Sequence, residues 1–93
     1  MVVFGDFEWN AAKAASNVRK HRVSFVEATE VFDDLHALDQ PSVTVAERFV
    51  IVGHSSRARL LFGVYAERRG VSVRIISARR ASRHERKAYE EEQ

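Results

Sequence analysis

An α+β domain is the fold class this sequence predicts: two N-terminal helices packed on an antiparallel meander sheet, with a helix at the C-terminal end. Three observations predict it. Three consecutive runs rich in Val, Ile, Leu and Phe (Arg48 to Ser55, Arg59 to Glu67, Val71 to Ala78) are joined by short turns around Ser56-Arg57 and Arg69-Gly70. Connections that short force antiparallel neighbours. Two segments ahead of them space their apolar residues as helices do. The chain has 93 residues, 45% of them hydrophobic, which suits one compact domain over residues 1–93 and leaves no room for a second core.

The elements follow in order. A strand from Val2 to Glu8 alternates weakly and runs into Asn10, a residue type that caps helix N-termini. A helix over Ala11 to Lys20 presents Ala11, Ala14 or Ala15, and Val18 as a stripe of small residues. His21-Arg22-Val23 breaks that pattern. Ser24 to Glu27 has the spacing of a capping box and opens a second helix with Ala28, Val31, Phe32 and Leu35 on its apolar face. Asp33 and Asp34 fall near its C-terminal end, where the helix dipole disfavours carboxylates, so another role is expected of them. Between Leu35 and Glu47 the pattern is weak. Pro41-Ser42 punctuates that stretch, with a short strand expected on either side. After the meander, Ser82 and Glu85 form another capping box, and Ala88 and Tyr89 give the last helix a thin apolar face.

Charge is distributed unevenly. Residues 1–47 carry four cations against eight acids, a net of −4, and residues 48–93 carry eleven against five, a net of +6. Twelve of the fifteen cations are Arg, whose planar fork matches phosphate oxygens, so a polyanion is the first partner to consider. There is no cysteine, which excludes disulfides and thiolate metal sites. No pair of His stands at i, i+4 and no Gly-rich phosphate loop appears, so neither a metal nor a cofactor is expected. The opening residues lack the basic and apolar regions of a signal peptide, and no run approaches the ~18 apolar residues that spanning needs. A cytoplasmic protein without membrane contact is expected.

Two places can carry chemistry. Ser77 to Arg83 brings Arg79, Arg80 and Arg83 together with the free amides of a helix N-terminus, which suits a phosphate. The same arginines can also simply solvate a surface or pair with the acidic first half. Lys20-His21 closes the first helix. Imidazole titrates near neutrality, and RNA carries its own nucleophile in the 2′-OH, so a cation and one His suffice for scission without a metal. A lone His at a helix end more often caps carbonyls. His54, by strand alternation, is a partly buried sheet residue. His36 falls in the weakly patterned stretch, and His84 faces solvent.

Phe7-Glu8-Trp9-Asn10, Lys13, Asn17, Arg19-Lys20-His21, Val23-Ser24-Phe25, Glu27-Ala28, Val31-Phe32-Asp33-Asp34, Glu47-Arg48-Phe49, Arg74 to Ala81, Glu85-Arg86 and Ala88-Tyr89-Glu90 resemble the BrnT toxins over nearly the whole chain. The resemblance implies a RelE-like fold, an endoribonuclease that stops translation, and neutralisation by a BrnA-like antitoxin with a ribbon-helix-helix domain. Operator DNA would be met only through that complex. It also assigns roles: Arg79 and Arg80 hold the scissile phosphate, Lys20 assists and His21 transfers the proton. Arg83, Arg48 and Glu47 would position RNA. Trp9 and Tyr65 could stack an unpaired base, although the core is the commoner place for such side chains. Arg22 and Leu35 stand where the family usually has Gly and Pro, and an Arg in a left-handed C-cap costs roughly 1 kcal/mol. The alternative is a non-catalytic module that grips nucleic acid or a partner, recognisable by salt-sensitive retention and no new 5′-OH ends.

Overall fold

The meander forms where its turns demand. In the computed structural model, which describes residues Met1–Gln93, β4 (Phe49–His54), β5 (Leu60–Arg68) and β6 (Ser72–Arg80) pair antiparallel in sequence order. Arg69 and Gly70 both have positive φ, at 58° and 68°, matching the turn that keeps two right-twisted strands paired. Ahead of the meander lie β1 (Val2–Phe4), β2 (Phe7–Trp9), α1 (Ala11–His21), α2 (Phe25–Glu30), a 3₁₀ turn over Val31–Asp33 and β3 (Leu38–Pro41). Behind it lies α3 (Arg83–Glu91). The six strands form one sheet in the order β1-β2-β6-β5-β4-β3.

Several elements differ from the sequence reading. The expected strand Val2 to Glu8 is a small hairpin, folded at Gly5 with φ 59°, and β2 pairs parallel with β6. The sheet is therefore mixed rather than wholly antiparallel. More than sixty residues separate β2 from β6, so no short connection dictates their direction. β3 runs into Pro41 and no strand follows it before β4. The second helix stops at Glu30, and tightening into the 3₁₀ turn rotates Leu35 off the apolar face to 97% exposure. Ser24 accepts from the Glu27 N–H as expected of a cap, but the Glu27 side chain bonds Arg59 and Ser55 rather than completing the box. At α3 the box is complete: Ser82 Oγ accepts from Glu85 N–H, and Glu85 accepts from Ser82 N–H.

The two faces of the sheet carry different helices. Ile51, Leu61, Tyr65, Ile75 and Ala78 meet Trp9, Val23, Phe25, Ala28 and Val31 in the main core, beneath α1 and α2. Phe25, Leu61, Val23 and Val31 are fully enclosed, each stabilising the fold by about 1.5–3 kcal/mol relative to exposure. On the opposite face, Val52 and Leu60 take Tyr89 of α3, with Leu38, Phe62 and Ala81 around them. Tyr89 is the one buried residue of α3. Its hydroxyl donates to Asp34 Oδ2 at 2.6 Å, and the same oxygen accepts from His54 N–H at 2.8 Å, while Asp34 Oδ1 takes the His36 N–H at 2.9 Å. Burial works to raise the Asp34 carboxyl, but these donors outweigh it and hold the group below the usual range. The role expected of the Asp pair is thus a structural one for Asp34.

Candidate active site

The site begins with how α1 is docked. Of its stripe of small residues Ala14 packs against the core, while Ala11 and Ala15 are exposed and Val18 is 41% exposed. The deeper contact is polar. Asn17 is the buried residue of α1, and its amide donates to Ala78 O at 2.7 Å and Val23 O at 2.9 Å while accepting from Ala78 N–H at 3.2 Å. The carboxamide therefore pairs both backbone groups of a β6 residue as a neighbouring strand would, just past the point where β2 ends. Helical spacing then places Lys13 one turn before Asn17 and His21 one turn after it, on the same ridge beside β6.

Two adjoining clefts follow that ridge. One, about 190 Å³, is lined by Lys13, Ser16, Asn17, Lys20, His21, Ile76 and Ser77. The other, about 370 Å³, shares Lys13 and Ile76 with it and adds Asn10, Glu47, Arg48, Glu67, Arg68 and Arg74. Lys20 and His21 are exposed at the open end of the groove.

The turn after His21 is braced from the sheet. Arg22 caps α1 in the left-handed conformation, φ 59°, with its N–H on Val18 O, so the conformation expected of the family's Gly is kept with Arg in it. Its carbonyl accepts from Arg59 at 3.1 Å. Arg59 in turn pairs with buried Glu27 through both its Nε, at 2.9 Å, and a terminal nitrogen, and Ser55 Oγ donates to the same carboxylate at 2.7 Å. The Arg59 hydrogen bonds hold the Glu27 carboxyl below its ordinary value against the opposing effect of burial.

The four residues expected to form one centre do not converge. Arg79 and Arg80 are consecutive in β6, opposite Phe62 and Leu61, so their side chains leave opposite faces of the sheet. Arg79 lies over the Phe62 ring at 4.2 Å and makes two bonds to Glu85, at 2.8 and 2.9 Å, on the α3 face. It is engaged in holding α3. Arg80 is exposed, without an ion-pair partner, and lines a hollow of about 240 Å³ with Arg59 and Arg86. Arg59 bonds the residue after His21, so Arg80 keeps the same end of the molecule as Lys20-His21. No three His, Asp or Glu side chains gather as a metal site.

A family model described as "Ribonuclease toxin, BrnT, of type II toxin-antitoxin system" matches residues 9–85. The chain belongs to the BrnT family. Among solved structures it is similar to the Brucella abortus ribonuclease toxin BrnT, determined at 1.1 Å resolution, with a TM-score of 0.67 at 22% sequence identity, covering 81% of this chain and 94% of that one. That likeness establishes a shared fold. A comparison with curated protein sequences returns no match. Membership of a type II toxin–antitoxin family carries with it a cognate antitoxin as partner. No helix is long and apolar enough to cross a membrane.

In this BrnT-family chain the two aromatic candidates are core residues. Trp9 is 5% exposed and packs edge-on to Phe25 at 5.9 Å. Tyr65 is 6% exposed, stacks on Phe49 at 5.4 Å and donates to Asp39 at 2.5 Å. Neither offers a free ring face to a base. Burial, with Asp39 beside it, pushes the Tyr65 phenol upward. Arg83 is exposed at the start of α3, and Glu47 and Arg48 line the larger cleft. The sequence reading missed Lys13, Arg68 and Arg74 as cleft residues and Asn17 and Arg59 as the groups that set its shape. The signals for Asn17 were its place among the residues that carry the family resemblance and a polar side chain at core spacing in a helix.

Proposed function

We propose that this protein is a RelE-like toxin that cuts RNA without a metal ion, thereby stopping translation, and that a BrnA-like ribbon-helix-helix antitoxin neutralises it. The observation that carries this reading is the groove between α1 and β6, with Lys20 and His21 at one end and a larger cation-lined cleft at the other. In scission the RNA 2′-oxygen bonds to the adjacent phosphorus, and the 5′-oxygen of the next nucleotide leaves. The products are a 2′,3′-cyclic phosphate and a 5′-OH. His21 transfers a proton in this exchange, and Lys20 and Arg80 offset the charge that builds on the phosphorane. Arg79 drops out of the set because Glu85 holds it on the other face. Arg83 and Arg48 remain as exposed or cleft-lining contacts for the strand.

The test is cleavage of single-stranded RNA in EDTA. His21→Ala and Arg80→Ala are expected to keep the wild-type melting transition, with His21→Ala losing about 10²–10⁴ in rate, the usual contribution of a proton-transfer group. RNA left intact by the wild-type protein after long incubation overturns the reading.

A further inference from the structure

The larger cleft is built in a way that the chemistry at Lys20-His21 does not need. Four cations line it, Lys13 from α1, Arg48 from the residue before β4, Arg68 from the end of β5 and Arg74 from β6, against the carboxylates of Glu47 and Glu67. Of the four only Arg74 has an ion-pair partner, Glu8 at 3.4 Å, which fixes it at the cleft wall. The atom that faces Glu8 is its buried Nε, which makes no hydrogen bond there. Lys13, Arg48 and Arg68 pair with nothing, although two carboxylates line the same space. Arg59 and Arg79, by contrast, are each tied to a carboxylate. The residue before Arg48 is also held in an uncommon conformation, Glu47 at φ 62°, closing a loop in which Ser42 N–H bonds Arg48 O at 2.8 Å. A non-glycine residue kept left-handed at a loop end costs on the order of 1 kcal/mol and persists where the surroundings require it.

We infer that this cleft is a substrate subsite that holds the backbone phosphates of a single RNA strand one short stretch away from the scissile phosphate, with Lys13, Arg48 and Arg68 as its contacts. The inference rests on the cleavage reading for its substrate and extends it to residues outside the reacting end. Lys13 lies seven residues from Lys20 on one helix, which sets the two ends about 10 Å apart along its axis. A nucleic acid strand fits better than an acidic peptide. Glu47 and Glu67 accept hydrogen bonds from the amino groups of bases, whereas the side chains of an acidic peptide bring only like charge against them.

A single-stranded DNA oligonucleotide lacks the 2′-OH and serves as an uncleavable probe of the strand path. Titrated across salt, the variant Lys13→Ala/Arg48→Ala/Arg68→Ala is expected to bind it at least about tenfold more weakly than wild type, with the salt slope reduced by about 0.7 for each phosphate contact removed. Lys87→Ala, an exposed cation on α3 away from the cleft, is expected to keep wild-type affinity for the probe. On RNA under single-turnover conditions, the triple variant's half-saturating protein concentration should rise far more than its saturated rate falls. A triple variant that folds and binds the oligonucleotide with wild-type affinity and salt slope overturns the subsite. Should the wild-type protein leave RNA intact while the triple variant still loses the oligonucleotide, the cleavage reading fails and the subsite stands. A triple variant that keeps the oligonucleotide but no longer binds an acidic peptide assigns the cleft to a protein partner and overturns the inference.

Discussion

Replacing Arg59 by Met is the most informative single change in this fold, because it removes one partner of a buried ion pair and keeps most of the side-chain volume. Glu27 is 6% exposed and Arg59 18% exposed at the side chain. Without the guanidinium, the Glu27 carboxylate retains Ser55 as a donor, and Arg22 O loses its partner from Arg59. Breaking a buried pair from one side costs about 3–5 kcal/mol, and partial solvent access at Arg59 brings the expectation to about 2–4 kcal/mol. With a urea slope of about 1–1.5 kcal/mol/M for a chain of this size, the unfolding midpoint should fall by roughly 2–3 M. Fluorescence of Trp9, the sole tryptophan and buried against Phe25, reports the transition.

The effect has a pH signature. Arg59 holds the Glu27 carboxyl below its ordinary value, so the pair's contribution is present above the unfolded carboxylate value of about 4.3 and fades as pH falls through the lower folded value. The gap between wild type and Arg59→Met should be full at pH 7 and close in acid. The double change Glu27→Leu/Arg59→Met should recover much of the loss at pH 7, since no charge is then left buried. A midpoint shift below about 0.5 M at pH 7, or a gap that stays constant into acid, would refute the reasoning.

Three further outcomes are expected. Asn17→Ala, which strands Ala78 and Val23 backbone groups in the interior, should cost about 2–4 kcal/mol in the same titration and blunt the groove. Arg22→Gly relieves a left-handed non-glycine cap and should stabilise by about 0.5–1 kcal/mol, raising the thermal midpoint by a few degrees. Burial and the Asp34 carboxylate push the Tyr89 phenol up to about 12, so stability is undiminished below pH ~10, the unfolded phenol value, and declines toward pH 12. Tyr89→Phe should flatten part of that decline and speed amide exchange in α3, and an alkaline profile identical to wild type would contradict the assignment.

Local rules made much of the fold legible. Short turns specified the meander, and the Ser82–Glu85 spacing specified the start of α3, because both depend on residues a few positions apart. The parallel pairing of β2 with β6 joins segments far apart in sequence, and no local pattern marks it. Leu35 fits a helical apolar face on paper, yet α2 tightens after Glu30 and turns it outward. Lys20, His21 and Arg48 line the clefts beside α1, whereas Arg79 and Arg80 look like a cluster only until strand alternation separates them. Trp9 and Tyr65 followed the ordinary tendency of large rings to be buried. Asn17 reaches Ala78, and Arg59 reaches Glu27 and Arg22, each across tens of residues, and local spacing does not announce those pairings.

Glu85 serves two neighbours at once, receiving the Ser82 amide and both terminal guanidinium nitrogens of Arg79. An activity screen by alanine substitution will therefore report loss at Arg79 for an architectural reason, as the first turn of the terminal helix comes loose from the sheet behind the groove. Such a phenotype would be easy to mistake for chemistry. Comparing Arg79→Ala with Glu85→Ala separates the two explanations, because an architectural defect makes the variants alike, while a role in handling RNA sets the cation apart from its acid.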